Sequence, residues 1–116
     1  MSQQFEERMS SQVKVNMRVC GKVHLIEVVM LPDGNFEVKA ETKCDNVKEF
    51  VEMIETLSIV DLTDKANSKV WESVKHSRMS ATCLVPAAVL CAAWMEAGLL
   101  SRNLAKAAGS NSVEFF

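Results

Sequence analysis

Three segments between residues 12 and 41 alternate apolar and polar side chains with a period of two. Neighbouring side chains of a β-strand point to opposite faces, so this period predicts strands that are buried on one side only. The inward positions are Val13, Val15, Met17 and Val19, then His24, Ile26, Val28 and Met30, then Phe36, Val38 and Ala40. A chain with this pattern has to place one face of a sheet against a second layer.

Glycine-containing turns join the three segments into an antiparallel meander. Gly21-Lys22 has glycine at the first central position of a two-residue turn, which favours type II′. Pro32-Asp33-Gly34 predicts a three-residue loop with a left-handed glycine. The two turns predict that Val19 pairs with His24 and that Met30 pairs with Phe36.

After residue 44 the hydrophobic period changes to that of a helix. Asn46 followed by Glu49 matches a capping box, which indicates the start of a first helix. Pro86 is favoured at a first helical position and Gly98 just beyond a helix end, so they bound an apolar third helix. The predicted helices run from Asn46 to about Leu57, from Thr63 to Lys75, from Pro86 to Ala97, and briefly from Ser101 to Ala108.

The pattern as a whole predicts an α+β domain, in which an antiparallel meander has one face covered by about three helices. Residues 113–116 are a candidate fourth strand at the end of the sequence. Residues 1–11 predict a flexible polar tail, which leaves residues 12–116 as a single domain. The chain has 116 residues, 48% of them hydrophobic, and a chain of this size buries about two thirds of its unfolded surface without help from a metal or disulfide.

Charge and hydropathy limit the partners and the compartment. The formal net charge is −2, so the chain lacks the surplus of Lys and Arg needed to bind nucleic acid or an anionic membrane. The N-terminus has no apolar signal-peptide core, and the longest apolar run, Leu84–Leu100, spans 17 residues where a bilayer requires about 20. These features predict a cytoplasmic protein whose cysteines stay reduced.

Three of the four cysteines fall at the ends of predicted elements. Cys20 ends the first strand, Cys44 ends the third strand, and Cys83 precedes the third helix. The first and third strands of a meander run in the same direction, so Cys20 and Cys44 lie at one edge of the sheet. Because thiolates select zinc, copper(I) or iron–sulfur clusters, these cysteines predict a metal site, with His24 or His76 as a candidate fourth ligand.

The same cysteines have two other interpretations. The sequence has no Cys-x-x-Cys pair, and free cysteine is among the most buried residue types, so ordinary core packing also explains them. Cys83, close to a helix N-terminus, is also a candidate redox thiol with a lowered pKa. Cys91 lies about 12 Å further along the chain, too far to share a metal ion with Cys83, and is predicted to be structural.

The residues around the three cysteines carry a family resemblance. Cys20-Gly21, Cys44-Asp45-Asn46-Val47 and Cys83-Leu84-Val85-Pro86 follow a pattern of Cys-Gly, Cys-x-x-Val and Cys-x-Val-Pro. In this pattern the chain resembles a family of small uncharacterised proteins of anaerobic archaea and some anaerobic bacteria. The resemblance covers about residues 15–116 and implies a shared thiol site, in which Cys91 has no place. The chain departs from the family at Asp45, where proline is expected, and at Lys22, where an aromatic residue is expected.

Besides a redox role for Cys83, two functions stay open at this point, and whether the chain is an enzyme is not determined by the sequence. The first is the binding of zinc or an iron–sulfur centre through Cys20, Cys44 and Cys83. The second is a non-catalytic interaction domain that forms a homodimer through the apolar third helix or a sheet edge, with structural cysteines. Removal of one of these thiols should abolish metal binding under the first function, whereas under the second it should affect only packing.

Overall fold

The computed structural model describes residues 10–116, which form an antiparallel sheet and a layer of helices. The strands follow one another in the sheet in chain order, so each strand pairs with its neighbour in sequence. The four strands are β1 (Ser10–Met17), β2 (Lys22–Met30), β3 (Phe36–Glu41) and β4 (Thr56–Leu57). Ser10 and Ser11 therefore belong to a strand and not to the predicted tail, whose other residues, 1–9, lie outside the described part of the chain.

The helices follow the third strand. They are α1 (Asp45–Ile54), α2 (Ile59–Thr63), α3 (Lys69–His76), α4 (Val85–Glu96) and α5 (Arg102–Ala108), with a 3₁₀ turn at Lys65–Asn67. The predicted α+β class and the meander are confirmed. Among the described residues, none of these helices has the length and apolar character needed to cross a membrane.

The pairing of β1 with β2 differs from the prediction. Val15, and not Val19, lies opposite His24, because residues 18–21 form the turn. The N–H of Gly21 donates to the carbonyl of Arg18 at 3.2 Å, and Gly21 has a left-handed φ of 70°. Val19 consequently lies in the turn, where its side chain is 75% exposed. The observed register of β1 against β2 is shifted from the predicted one by four residues, from Val19 to Val15. Because an even shift leaves each side chain on the same face of the sheet, the predicted inner face of β1 is preserved up to Met17.

The pairing of β2 with β3 is as predicted. Met30 lies opposite Phe36, and Gly34 takes a left-handed φ of 90° in the loop between them. The fourth strand, however, is Thr56–Leu57, and residues 113–116 form no strand. Glu55 turns the chain sharply after α1 with a φ of 57°, which brings Thr56–Leu57 back alongside β3.

Some helix boundaries differ from those that the hydrophobic period predicted, because polar residues near the helix ends form different caps. No capping box forms at Asn46; the N-cap of α1 is Cys44, two residues earlier than predicted. The capping box belongs to α2, where Ser58 and Asp61 bond each other's backbone.

The predicted second helix, Thr63 to Lys75, is divided at two polar residues. Asp64 accepts a hydrogen bond from the N–H of Ala66 and starts the 3₁₀ turn, while Ser68 caps α3 through the N–H of Val70. Val70 is buried, whereas Ala66 and Trp71 are exposed. Caps inside an apolar pattern therefore break one predicted helix into separate pieces.

The core lies between the inner face of the sheet and the helices. Helix α4 packs across β1 and β2, and α1 packs against β3. On α4, Ala92 and Ala93 are fully buried, so the small side chains let this helix approach the sheet closely. The indole N–H of Trp94 donates to the carbonyl of Leu62 at 2.9 Å and joins α4 to α2. The buried core residues are Val15, Met17, Ile26, Val28, Phe36, Val38, Val47, Phe50, Val51, Ile54, Leu57, Leu62, Val70, Val85, Val89, Ala92 and Ala93.

Candidate thiol site

The three predicted thiols lie on three different loops. Cys20 is exposed in the turn between β1 and β2. Cys44 is half-buried at the start of α1, and Cys83 is half-buried just before α4. Both half-buried thiols pack against the edge of the hydrophobic core. They are therefore held by the fold, whereas Cys20 is presented by a surface turn.

Cys44 is fixed by hydrogen bonds on both sides of its backbone. Its N–H donates to the hydroxyl oxygen of Thr42 at 3.0 Å. Its carbonyl accepts from the N–H of Lys48 at 3.0 Å and so begins the hydrogen-bond ladder of α1. Thr42 was not singled out in the sequence, although a hydroxyl residue two positions before a helix cap is typical of a side-chain turn.

The loop that carries Cys83 is docked against the first turns of α1. The guanidinium of Arg78 donates to a carboxylate oxygen of Glu49 at 3.0 Å. The amide of Asn46 donates to the carbonyl of Arg78 at 3.4 Å. Asn46 and Glu49 therefore attach a neighbouring loop and do not cap their own helix. This attachment brings the segment before α4 next to the helix that Cys44 begins.

Cys20 and Cys44 both lie within electrostatic range of Cys83. Burial raises the pKa of the Cys83 thiol above its ordinary value. A hydrogen bond from the N–H of Val85 lowers this pKa, and the neighbouring charges of Cys20 and Cys44 raise it again. The predicted lowering of the Cys83 pKa by a helix N-terminus is therefore wrong, because burial outweighs the single backbone donor.

The side chains in this region are too far apart to form a metal site as they stand. Across residues 10–116, no three side chains of His, Cys, Asp or Glu lie close enough together to hold a metal ion. Cys20, Cys44 and Cys83 therefore lie in one region of the molecule but are not close enough to coordinate one metal ion as they stand. Cys91 is half-buried on α4.

The two candidate histidine ligands have different surroundings. His24 is only 2% exposed, on the inner face of the sheet, and its Nδ1 lies 2.6 Å from the hydroxyl oxygen of Thr42. Thr42 thus contacts both His24 and the backbone of Cys44. His76 is exposed at the end of α3, where its Nε2 lies 3.3 Å from a carboxylate oxygen of Glu72.

Burial of His24 predicts a pH-dependent stability. Burial lowers the pKa of His24 from the ordinary value of 6.5, and the positive charge of Lys22 lowers it further. Above pH 6.5 the imidazole is neutral in both the folded and the unfolded chain. As the pH falls below that value the unfolded chain takes up a proton first, so the free energy of unfolding decreases until the folded pKa is reached. Urea titrations on either side of pH 6.5 measure this loss.

Substitution of each histidine distinguishes the effect of His24 on pH-dependent stability from the effects of other titrating groups. The His24→Asn variant is expected to lose this pH dependence, whereas the exposed control His76→Asn keeps it. Asp64 and Glu72 have pKa values lowered by side-chain hydrogen bonds from Asn67 and Lys75, and they affect stability only below about their ordinary values of 3.8 and 4.5. An unchanged pH dependence in His24→Asn contradicts the prediction.

One further polar cluster was missed by sequence reasoning. The carboxylate of Glu96 is only 3% exposed and accepts hydrogen bonds from three parts of the chain. The hydroxyl of Ser11 donates to it at 2.9 Å, the N–H of Met30 at 2.9 Å, and the guanidinium of Arg102 at 2.9 Å. The sequence signal was present, since Glu96 is the lone charge in the run from Leu84 to Leu100. This cluster joins the end of α4 to β1, β2 and α5.

The family comparison covers nearly the whole described chain. A family model matches residues 11–108, from the second residue of β1 to the last residue of α5. The chain belongs to the DUF6951 family. DUF6951 is described as a family of unknown function, and the matched residues include Cys20, Cys44 and Cys83. Curated proteins and solved structures give no significant match. The resemblance to the cysteine-pattern family of anaerobic archaea and bacteria stays a prediction.

Proposed function

We propose that the protein binds a thiophilic metal, zinc or an iron–sulfur centre, through Cys20, Cys44 and Cys83. The observation that carries the proposal is that three cysteines, far apart in sequence, lie on loops that the fold brings together, with Cys20 and Cys44 near enough to Cys83 to raise its pKa. Two of them are half-buried at the core edge, where a ligand would be shielded from water on one side. In a reducing cytoplasm, as the composition predicts, all three would be available as free thiols.

The electrostatics favour a bound cation. In the metal-free chain, burial and the nearby Cys20 and Cys44 make a negative charge at Cys83 costly. A divalent cation would offset this cost, because the thiols lose their protons on binding and the attraction of each thiolate to the metal outweighs the repulsion between thiolates. The raised pKa of Cys83 beside two other thiols is therefore a physical feature that supports a metal site.

The proposal requires a local movement of Cys20. Its turn, residues 18–21, is exposed throughout and lies outside the core, so a shift there breaks no buried contact. Cys44 and Cys83 stay where the Thr42 and Arg78 hydrogen bonds hold them. Three protein ligands leave a fourth tetrahedral position for water, a partner or one of the candidate histidines, His24 and His76.

Metal analysis of protein purified without oxygen tests the proposal. We expect one zinc ion, or iron and sulfide in a fixed ratio, per chain, with a visible absorption band if the metal is iron. The Cys44→Ser variant is expected to lose most of the metal, because a hydroxyl is a much poorer ligand for a soft metal than a thiolate.

Cys91→Ser is the matched control. It removes a half-buried thiol by the same change of one atom, outside the proposed ligand set, and is expected to keep its metal. Cobalt(II) titration supplies a second measurement, since thiolate coordination gives an intense charge-transfer band. Wild-type protein that binds no zinc, iron or cobalt overturns the proposal, and so does a Cys44→Ser variant that keeps its full metal content.

The second candidate function is the non-catalytic interaction domain that forms a homodimer. Large apolar side chains are exposed at the end of the described chain and on the outer face of the sheet. The use of α4 or a sheet edge for dimerisation stays a prediction. Serine variants of Cys20, Cys44 and Cys83 that leave sedimentation unchanged would separate this function from metal binding.

A further inference from the structure

The topology of the sheet places two of the three cysteines at one of its ends. Strands β1 and β3 both run antiparallel to β2, so both of them finish at the same end of the sheet. Cys20 lies in the turn of residues 18–21 that follows β1, and Cys44 follows the last residue of β3 by three positions. Cys20 and Cys44 are therefore carried by two loops at this end.

Helix α4 brings Cys83 to the same end of the sheet. The last residue of α4, Glu96, accepts hydrogen bonds from Ser11 near the start of β1 and from Met30 at the end of β2, which mark the opposite end. Buried residues occur in α4 from its first turn to its last, so the helix lies on the sheet along its length. Its twelve residues rise about 18 Å, close to the length of about 20 Å from Ser11 to the end of β1. The start of α4 therefore puts Cys83 beside the turn that carries Cys20.

The spacing of the three thiols suits a cluster better than a single metal ion. Cys20 and Cys44 are near enough to Cys83 to raise its pKa, yet across residues 10–116 no three His, Cys, Asp or Glu side chains are close enough to hold one ion. Around a tetrahedral zinc ion, with bonds of about 2.3 Å, the thiolate sulfurs lie only about 4 Å apart. In a cubane iron–sulfur cluster each cysteine binds a different iron atom, and sulfide ions separate the irons. Cysteines around a cluster therefore stand further apart, in agreement with their spacing in this fold.

Two of the cysteines lie at the beginning of helices. The N–H of Val85, the first residue of α4, donates a hydrogen bond to Cys83. Cys44 is the N-cap of α1, and within the described chain its side chain makes no cap hydrogen bond. Backbone N–H groups that donate to sulfur, together with the positive end of a helix dipole, stabilise the negative charge of a thiolate-bound cluster. Helices α1 and α4 therefore both begin at the site with the end that such a cluster favours.

The number of available ligands indicates which cluster fits. The two histidines hydrogen-bond elsewhere, since Nδ1 of His24 lies 2.6 Å from the hydroxyl of Thr42 and Nε2 of the exposed His76 lies 3.3 Å from a carboxylate oxygen of Glu72. A 2Fe–2S cluster requires four ligands, whereas a 4Fe–4S cluster held by three cysteines has one iron that the protein does not bind. Cys20 is exposed on its turn, so this side of the site is open to water.

We infer that the occupant of the thiol site is a 4Fe–4S cluster in which Cys20, Cys44 and Cys83 each bind one iron atom. The fourth iron, on the side of the exposed Cys20 turn, takes water or another small ligand from solution. This inference rests on the metal binding proposed above and goes beyond it by choosing a cluster over a zinc ion. It also gives the site one open metal position, which neither histidine fills.

Assembly of the cluster under anaerobic conditions tests the inference. The full chain is incubated with ferrous iron and sulfide, separated from unbound iron, and compared with the chain incubated with zinc. We expect about four iron and four sulfide ions per chain, with a broad visible absorption band. Cys20→Ser, Cys44→Ser and Cys83→Ser are each expected to lose most of this absorption, whereas the control Cys91→Ser keeps it. Far-ultraviolet circular dichroism checks that each variant is folded.

One-electron oxidation identifies the open iron. Ferricyanide takes one electron from the cluster and is reduced to ferrocyanide, after which the iron without a protein ligand leaves as Fe²⁺. The product is a 3Fe–4S cluster whose charge is one unit lower than that of the starting cluster. We expect the bound iron to fall by about a quarter and the electron paramagnetic resonance signal of a 3Fe–4S cluster to appear. A cluster that keeps all of its iron under this treatment overturns the open position.

The remaining outcomes separate this inference from the proposed function. A chain that binds no iron, zinc or cobalt overturns both. A chain that binds one zinc or cobalt ion through the three cysteines but assembles no cluster leaves the proposed function standing and overturns the inference. A cluster that survives intact in all three serine variants is held by other residues, and this result also overturns the inference.

Discussion

The Glu96→Ala variant is expected to lose about 2–3 kcal/mol of unfolding free energy. The substitution removes a carboxylate that is 3% exposed and leaves the guanidinium of Arg102, the hydroxyl of Ser11 and the N–H of Met30 without their acceptor. The hydroxyl of Ser11 is then buried without an acceptor, which is costly because it has given up hydrogen bonds to water, whereas Arg102 and Met30 are partly exposed and can be hydrated. Urea denaturation followed by circular dichroism measures the loss.

The pair of Glu49 and Arg78 provides an internal control. Its donor–acceptor distance is 3.0 Å, close to the 2.9 Å between Glu96 and Arg102, but both of its side chains are far more exposed. Glu49→Ala is therefore expected to cost no more than about 1 kcal/mol. If Glu96→Ala and Glu49→Ala lost equal unfolding free energy, burial of Glu96 would not be the reason for its larger expected effect. Hydrogen exchange adds a second measurement, since Glu96→Ala is expected to speed exchange throughout α5.

The Phe50→Ala variant is expected to lose about 3–5 kcal/mol through a different mechanism. Phe50 is fully buried on α1, in the core between this helix and the sheet. Truncation removes favourable apolar burial and leaves a cavity that the surrounding strands and helices fill only in part. The loss is measured as a lower midpoint of urea denaturation with an unchanged slope.

Phe115→Ala is the matched control for this variant. It removes the same atoms from a side chain that is 80% exposed, so its effect on the unfolding of dilute monomer is expected to stay within about 0.5 kcal/mol. Phe50→Leu is expected to cost less than Phe50→Ala, since most of the volume is retained. A small loss for Phe50→Ala would mean that α1 is not held against the sheet as described.

Side-chain alternation predicted the inner face of the sheet because it depends on the parity of positions and not on the exact turn. The turn at residues 18–21 moved Val19 out of the strand, yet Val15 and His24 still point inwards. The number of turn residues could not be deduced, since glycine at position 21 suits more than one turn type. The short strand β4 was also beyond prediction, because its two residues pair only after Glu55 has reversed the chain.

The candidate site could be predicted only in outline. The positions of Cys20, Cys44 and Cys83 at the ends of elements follow from the hydrophobic periods. The contact of Thr42 with His24 depends on how the end of β3 lies against β2 in space, which no local pattern encodes. The burial that raises the pKa of Cys83 likewise comes from tertiary packing, and it outweighed a backbone donor that the sequence did indicate.

The order of strands in the sheet also sets the order in which the protein can assemble. Because the order of the strands in the sheet follows their order in the chain, each strand can pair with a neighbour that has already been synthesised. Hairpins of this kind form within about microseconds, long before a ribosome adds the next segment. Helix α4, which covers β1 and β2, arrives only after the whole sheet. We therefore expect the nascent chain to expose the apolar face of β1 and β2 until α4 emerges, when Glu96 can join α4 to these two strands.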